Sequence, residues 1–372
     1  MSWNSIWKSA FGIAALGVAV GAHAGSNGVK VSVAPEKVMH GASDDVIVKV
    51  TITNTSSTPQ YVLKARMPFD GLSAPLFDVT RDGARVAYTG ALVKRGKPTA
   101  ADYYVLKPGA SHTVKVELSS LYDMSVSGDY AIRYRTSSPD LFLAGSNGRA
   151  TAAAAGGSAA AADIGQLESD AASFYIEGRL PRGASSEIMQ ALKRPDGGGT
   201  VTAQGLSYAS CTASQQSTIA SAISAAKTMA NGSVTYMAKT TMGPRYTKWF
   251  GSVTSSRQST VKSHYTNIKN AFDTQNVVVD CSCKDSSYAY VYPTQPYRIY
   301  VCNAFWSAPL TGTDSKGGTL VHEMSHFNVV AGTDDHAYGQ SAAASLAISN
   351  PTQAVDNADS HEYFAENTPA LN

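Results

Sequence analysis

The sequence predicts a multidomain α+β protein, with an N-terminal all-β, immunoglobulin-like domain and a C-terminal, helix-dominated domain that contains a small sheet. Two patterns lead to this prediction. Hydrophobic residues occupy alternate positions in the first part of the chain and recur at helical intervals in the last part. The 372 residues are enough for two ordinary domains, and a hydrophobic content of 43% permits a substantial core.

Residues 1–24 have the pattern of a secretory signal peptide. Lys8 provides a positive charge before an apolar run at 10–20 that is too short to span a bilayer, and Ala22 and Ala24 provide a small-x-small cleavage pattern. We therefore expect a secreted, extracellular protein with no membrane partner. A formal net charge of +2, without a basic stripe, also argues against a nucleic-acid partner.

Residues 25–145 are predicted to form the β-sandwich domain. Val46, Val48 and Val50 fall on every second position, which is the spacing of a strand with one buried face. Turn signals separate this strand from two further stretches with the same alternation, at 114–118 and 130–134.

Residues 146–200 are predicted to connect the two domains. The Ala/Gly/Ser-rich stretch at 144–162 has too few bulky side chains to form a core. The sequence KRPDGGG at 193–199 resembles an exposed, protease-sensitive joint. We expect proteolytic processing between residues 190 and 206.

Residues 201–372 are predicted to form the helix-dominated domain. Its four cysteines favour two disulfides, because export permits them and a C-x-C spacing does not suit zinc. The spacing alone leaves three pairings open. The predicted strands are at 277–279, 289–292 and 298–301, and the last three helices are at 315–328, 339–349 and 357–365.

An H-E-x-x-H motif lies in the first of these three helices. His322 and His326 are one helical turn apart, so both imidazoles can bind one metal ion, while Glu323 can reach a water molecule beside it. Apolar neighbours suggest that this helix is buried, where two imidazoles and a carboxylate are costly without a metal or other partners. A surface helix with incidental His and Glu is the alternative.

A catalytic zinc needs a third protein ligand and an open fourth position. Asp335 follows His326 by nine residues, and Asp334 and His336 are its neighbouring rivals. Glu362 would be the third ligand in a gluzincin, whereas Val329 and Gly332 exclude the metzincin pattern. We expect Gly332 to end the helix in a left-handed conformation and to fold the chain back under the metal.

The C-terminal half resembles the aspzincins, the deuterolysin and peptidyl-Lys metalloendopeptidase family, over residues 207–372. Stretches at 244–251, 289–293 and 357–364 look like the peptidyl-Lys branch. The chain also resembles bacterial secreted toxin proteases of this family that are made with a long pro-region. The family signature, H-E-x-x-H followed by G-T-x-D-x-x-Y-G, is matched by His322, Glu323, His326, Gly332, Thr333, Asp335, Tyr338 and Gly339.

The resemblance implies a zincin catalytic domain that binds one Zn²⁺ per chain. The ligands would be His322, His326 and Asp335. Glu323 would be the general base and later the proton donor, and Tyr338 would donate to the oxyanion. The implied disulfides are Cys211–Cys281 and Cys283–Cys302.

The resemblance also implies substrate specificity and latency. Asp359 and Glu362 would line an S1′ pocket for lysine, so that protein or peptide substrates are cleaved on the amino side of Lys. By spacing alone, these two residues would equally suit a solvated helix face. Residues 25–200 would be a pro-region that acts as an intramolecular chaperone and inhibitor, and we hypothesise that it covers the cleft with one of its own lysines in S1′.

Two other readings stay open at this point. One is the gluzincin that uses Glu362, and the other is a secreted binding protein in which zinc is structural. His336 and His361 are expected on the solvent side.

Overall fold

The computed structural model describes residues 26–41, 44–143, 164–177 and 205–372. The predicted signal peptide and nearly all of the predicted processing window lie outside these residues. The described part of the chain combines several sheets with eight α-helices, as the α+β prediction requires. None of its helices is both long and apolar enough to cross a bilayer.

Two sheets in the N-terminal half enclose one hydrophobic core. Alternate residues of the second long strand, including Val48, Val50 and Ile52, are fully buried and pack in the same cluster as Ile132 and Tyr134. Numbering the strands in chain order, the first sheet is antiparallel and contains β1 (Val29–Pro35), β3 (Ile47–Asn54) and β9 (Ser111–Glu117). The second contains β2 (Met39–His40), β12 (Ala172–Ile176), β10 (Gly128–Ser138), β5 (Phe77–Arg81) and β6 (Ala84–Arg85), with β11 (Gly165–Glu168) also paired to β10.

This half has two features that the sequence does not predict. Strands β11 and β12 come from residues 146–200, which are predicted to be a linker and the remainder of the pro-region, and they complete the second sheet. The β2–β12 pair is parallel, whereas β10 pairs antiparallel with β5, β11 and β12. The immunoglobulin-like assignment stays a prediction. A separate two-stranded ladder joins β4 (Gln60–Leu63) to β8 (Tyr103–Leu106).

Eight helices and a five-stranded sheet build the C-terminal half around a second core. The helices are α1 (Ala213–Met237), α2 (Pro244–Phe250), α3 (Ser255–Thr274), α4 (Asn303–Ser307), α5 (Lys316–His326), α6 (Gln340–Ser349), α7 (Pro351–Val355) and α8 (Ala358–Glu366). The sheet order is β13 (Leu206–Ala209), β14 (Val277–Asp280), β16 (Arg298–Val301), β15 (Ala289–Val291) and β7 (Leu92–Lys94). The structure pairs Cys211 with Cys281 and Cys283 with Cys302, the pairing that the resemblance implies.

The edge strand β7 belongs to the N-terminal half by sequence. It pairs antiparallel with β15, with Lys94 opposite Ala289 and Val93 opposite Tyr290. The sequence predicts that this segment belongs to the N-terminal sandwich. Three residues of that region instead extend the sheet of the C-terminal half, beside helix α5.

Helix α5 carries the H-E-x-x-H motif and is buried along its whole length. Ser315 caps its first turn by accepting a hydrogen bond from the Gly318 amide. The helix ends at His326, so the expectation that Gly332 ends it is wrong. Gly332 lies later in the turn that follows, in the left-handed region at φ +61°, and its amide donates to the Phe327 carbonyl.

Candidate metal centre

Three side-chain atoms converge between helix α5 and the turn that follows it. The Nε2 atoms of His322 and His326 lie 3.1 Å apart. Asp335 Oδ1 lies 3.2 Å from the first of these nitrogens and 3.5 Å from the second. All three residues are buried. Ligands about 2.05 Å from a tetrahedral zinc are separated by about 3.3 Å, so these spacings fit the ion.

The polar contacts around these atoms also fit a metal. The Nδ1 atom of His326 lies 2.6 Å from the Thr333 carbonyl, which can only accept, so Nε2 is left with a free lone pair. Neither carboxylate oxygen of Asp335 accepts a hydrogen bond within the described part of the chain. Burial alone would raise the pKa of Asp335, but His326 and His322 hold it well below its ordinary value.

The loop that carries Asp335 is fixed at both of its ends. The Thr333 hydroxyl lies 2.6 Å from the Ser325 hydroxyl, which ties the loop to helix α5. The Asn357 side chain accepts hydrogen bonds from the amides of His336 and Ala337, which ties it to the start of α8. The ligand loop is therefore held by neighbours on two helices.

Glu323 is fully buried next to the two histidines. Neither of its carboxylate oxygens has a hydrogen-bond partner among the described residues. Burial raises the pKa of Glu323 to about 7, against the opposing effect of His322 and His326. A carboxylate with this pKa suits the transfer of protons near neutral pH.

Tyr338 lies on the side of the centre that faces β7. Its hydroxyl donates a hydrogen bond of 3.0 Å to the carbonyl of Val93. Burial raises the pKa of Tyr338, so the hydroxyl keeps its proton and stays a donor.

Asp359 and Glu362 form an acidic pocket on helix α8, and Lys94 fills it. The Lys94 Nζ atom lies 2.5 Å from Glu362 Oε2 and 3.5 Å from Asp359 Oδ1. All three side chains are 0% exposed. The alternative that Asp359 and Glu362 lie on a solvated helix face is therefore wrong. Burial alone would lower the pKa of Lys94, but the carboxylates of Asp359, Glu362 and Asp314 raise it well above its ordinary value.

The sequence leads us to expect a pro-region lysine in this pocket but does not indicate which one, and it gives no indication of Val93. Lys94 is one of many lysines in the chain, and no local pattern distinguishes it. Arg66, also from the N-terminal half, donates to the backbone carbonyl of Asp335. The two residues of each pair, Val93 with Tyr338 and Lys94 with Asp359, are more than 240 positions apart in the sequence.

The rival ligands point elsewhere. Glu362 faces the Nδ1 atom of His322, at 3.3 Å, rather than the Nε2 atom that faces His326. Asp334 and His336 form a separate, partly exposed cluster with Asp356. His361 is fully buried, so the expectation that it lies on the solvent side is wrong.

Comparison with known proteins places the sequence among proteases. A family model described as lysine-specific metallo-endopeptidase, the aspzincins, matches residues 235–366. An extracellular protease from Aeromonas hydrophila is 44% identical, covering 90% of this chain and 92% of that protein. A peptidyl-Lys metalloendopeptidase from Armillaria mellea is 38% identical, covering 92% and 95%. A solved zinc peptidase from Grifola frondosa is 52% identical, covering 44% of this chain and 100% of that one, with a TM-score of 0.43.

Proposed function

Because this chain belongs to the aspzincin family and is therefore a zinc metalloendopeptidase, we propose that it cleaves proteins or peptides on the amino side of lysine and is made as a latent, secreted precursor. This proposal depends on one observation: Val93 and Lys94 of β7 lie in the site and contact Tyr338 and the acidic pocket. The Lys94 ammonium enters the acidic pocket while the preceding carbonyl contacts Tyr338.

One zinc ion per chain would be held by His322, His326 and Asp335. Bound there, zinc supplies Lewis-acid chemistry, because it polarises a carbonyl and lowers the pKa of water. The mutual spacing of the three atoms and the unpaired oxygens of Asp335 support this ligand set. Glu362, the alternative third ligand, lies beyond the other ring nitrogen of His322.

Glu323 would act as the general base. Its buried, unpartnered carboxylate can accept a proton from the attacking water and then deliver it to the amine that leaves. The Tyr338 hydroxyl would donate to the oxygen of the scissile carbonyl as negative charge develops on it.

The specificity follows from the register of β7. A substrate strand bound in the same way would place its lysine in the pocket of Asp359 and Glu362. The carbonyl next to Tyr338 would then belong to the residue before that lysine, so the bond cleaved would be on its amino side. The similarity to a peptidyl-Lys metalloendopeptidase supports this assignment.

The same contacts would explain latency. Lys94 fills the lysine pocket, and the Val93 carbonyl accepts the hydrogen bond of the Tyr338 hydroxyl. A substrate could therefore reach neither the pocket nor the hydroxyl until β7 leaves. We assign residues 1–24 to a signal peptide, 25–145 to a pro-domain with an immunoglobulin-like sandwich, 146–200 to the rest of the pro-region, and 201–372 to the catalytic domain. Processing is proposed between 190 and 206. The similarity to an extracellular protease supports secretion.

The first test compares the processed wild-type enzyme with its Glu323→Ala variant at equal zinc content. We expect hydrolysis of a lysine-containing peptide to fall by roughly 10²- to 10⁴-fold while zinc is retained. Unchanged activity would exclude Glu323 as the base.

Two further variants separate the possible third ligands. Asp335→Ala is expected to lose zinc, whereas Glu362→Ala is expected to keep it and to lose the preference for lysine. The opposite pattern would identify a gluzincin.

A further inference from the structure

We propose that Asp314 is a third carboxylate of the lysine pocket and determines specificity together with Asp359 and Glu362; this inference rests on the proposed preference for lysine. Asp314 lies in the loop before α5, whereas the other two acids lie on α8. Its Oδ1 atom is 3.9 Å from Lys94 Nζ. A lysine ammonium has three hydrogens to donate, and the three carboxylates approach it from two separate elements.

Asp314 supplies charge that the metal centre does not share. Asp359 Oδ1 and Glu362 Oε2 lie 2.9 and 3.3 Å from the Nδ1 atom of His322. Among the residues that the structure describes, Asp314 forms no ion pair with His322, and it does pair with Lys94. The negative charge of Asp314 is therefore not shared with a candidate metal ligand.

The Asp314 carboxylate is also held by groups other than the Lys94 ammonium. The Tyr363 hydroxyl donates to its Oδ1 atom at 2.6 Å, and its own amide donates to Glu366 Oε2 at 3.2 Å. Its backbone lies in the left-handed region at φ +50°, which Asp and Asn tolerate better than most residues. The oxygen that faces the ammonium is fixed by these three constraints.

Exposure places Asp314 at the mouth of the pocket. Its side chain is 36% exposed, whereas those of Asp359 and Glu362 are 0% exposed. The ring of Tyr288 lies 5.0 Å from the Lys94 ammonium and completes the wall of the pocket. Solvent screening limits what a partly exposed pair can contribute, so the expected effect is moderate.

The test uses Asp314→Asn, which removes the charge but keeps an acceptor for Tyr363 and a residue that tolerates the left-handed backbone. The control is Asp273→Asn, an equal change of charge at a surface position where the carboxylate pairs with Lys269. Each chain is produced at full length, processed, and assayed on peptides with lysine after the scissile bond. We expect Asp314→Asn to raise KM roughly three- to tenfold with kcat within about twofold, and the control to match wild type.

Three results would overturn the inference. An unchanged KM in Asp314→Asn, with the wild-type preference for lysine intact, would remove Asp314 from the pocket and leave the proposed function standing. A lower kcat and a lower melting temperature with unchanged KM would indicate a structural role instead. No preference for lysine in the wild-type enzyme would refute the proposed specificity itself, and this inference with it.

Discussion

His322 Nδ1 lies 2.9 Å from Asp359 Oδ1, so one carboxylate contacts both a candidate metal ligand and the ammonium of Lys94. The Nε2 atom of the same ring faces His326 and Asp335. Asp359 is itself oriented by the amide of Gly339, which donates to its other oxygen at 2.6 Å. The lysine pocket and the metal centre therefore share a residue, and a change in one is expected to affect the other.

Asp359→Asn is expected to weaken zinc binding by roughly tenfold or more, because a carboxylate beside a metal-binding imidazole orients the ring and raises its basicity. The measurement is chelator competition on the full-length chain in a Glu323→Ala background. Glu362→Gln is the matched control, since it also removes a partner of Lys94 but lies farther from His322. Equal zinc affinities in the two variants would contradict a special role for Asp359.

Lys94→Ala is expected to activate the unprocessed chain. The substitution empties the pocket and leaves two buried carboxylates without their cation, which costs about 3 kcal/mol or more of unfolding free energy. We expect the unprocessed variant, checked by gel, to cleave lysine peptides at least roughly tenfold faster than unprocessed wild type (a tenfold change corresponds to about 1.4 kcal/mol).

The control for this experiment is Lys107→Ala, which removes an exposed lysine from a turn of the same half of the chain. It should change neither stability nor latency. If Lys94→Ala behaves like Lys107→Ala, occupation of the pocket by Lys94 is not the cause of the proposed latency.

Tyr338→Phe is expected to lower kcat by roughly 10²-fold with little change in KM, because it removes the proposed donor to the scissile carbonyl, where charge develops. Steady-state kinetics of the processed enzyme measure both constants. Tyr208→Phe, on the far edge strand β13, is the control. A rise in KM without a fall in kcat would mean that Tyr338 only binds substrate.

Local patterns in the sequence predicted what depends on neighbours in the chain. The alternation at 46–52 lies in a strand with one buried face, and the spacing of His322 and His326 places both imidazoles on one side of α5. These features depend on the geometry of a single strand or helix. The helices expected at 339–349 and 357–365 lie within one residue of α6 and α8 at each end.

The features that the sequence could not predict are all contacts between distant segments. Strand β7 was placed in the sandwich, because nothing in residues 92–94 indicates which sheet edge they extend. Asp359 and Glu362 equally suited a solvated face, since the ammonium of Lys94 and the ring of His322, which help to make their burial tolerable, come from distant segments. Pairing across such separations depends on tertiary packing, and a short segment carries no signal for it.

The contact between buried His361 and partly buried His264 is expected to make the folded chain sensitive to acid. His361 Nδ1 lies 3.0 Å from the Asn357 carbonyl, which can only accept, so this nitrogen carries the proton. The Nε2 atom then accepts from His264 Nδ1, also at 3.0 Å, and has no room for a second proton. Burial, followed by the effect of His264, lowers the pKa of His361 to about 3.

Because the folded-state pKa of His361 lies below its ordinary value of 6.5, the unfolded chain binds a proton first as the pH falls. The contribution of neutral His361 to the free energy of unfolding is fully present above about pH 6.5. It is lost as the pH falls toward 3, by up to about 1.4 kcal/mol per pH unit. Denaturant unfolding of the full-length Glu323→Ala chain at pH 7 and pH 5 measures the loss. His361→Phe should reduce the difference between the two pH values by about 2 kcal/mol, since the other titrating groups are common to both chains. An identical pH dependence in the variant would show that His361 is not the group that titrates.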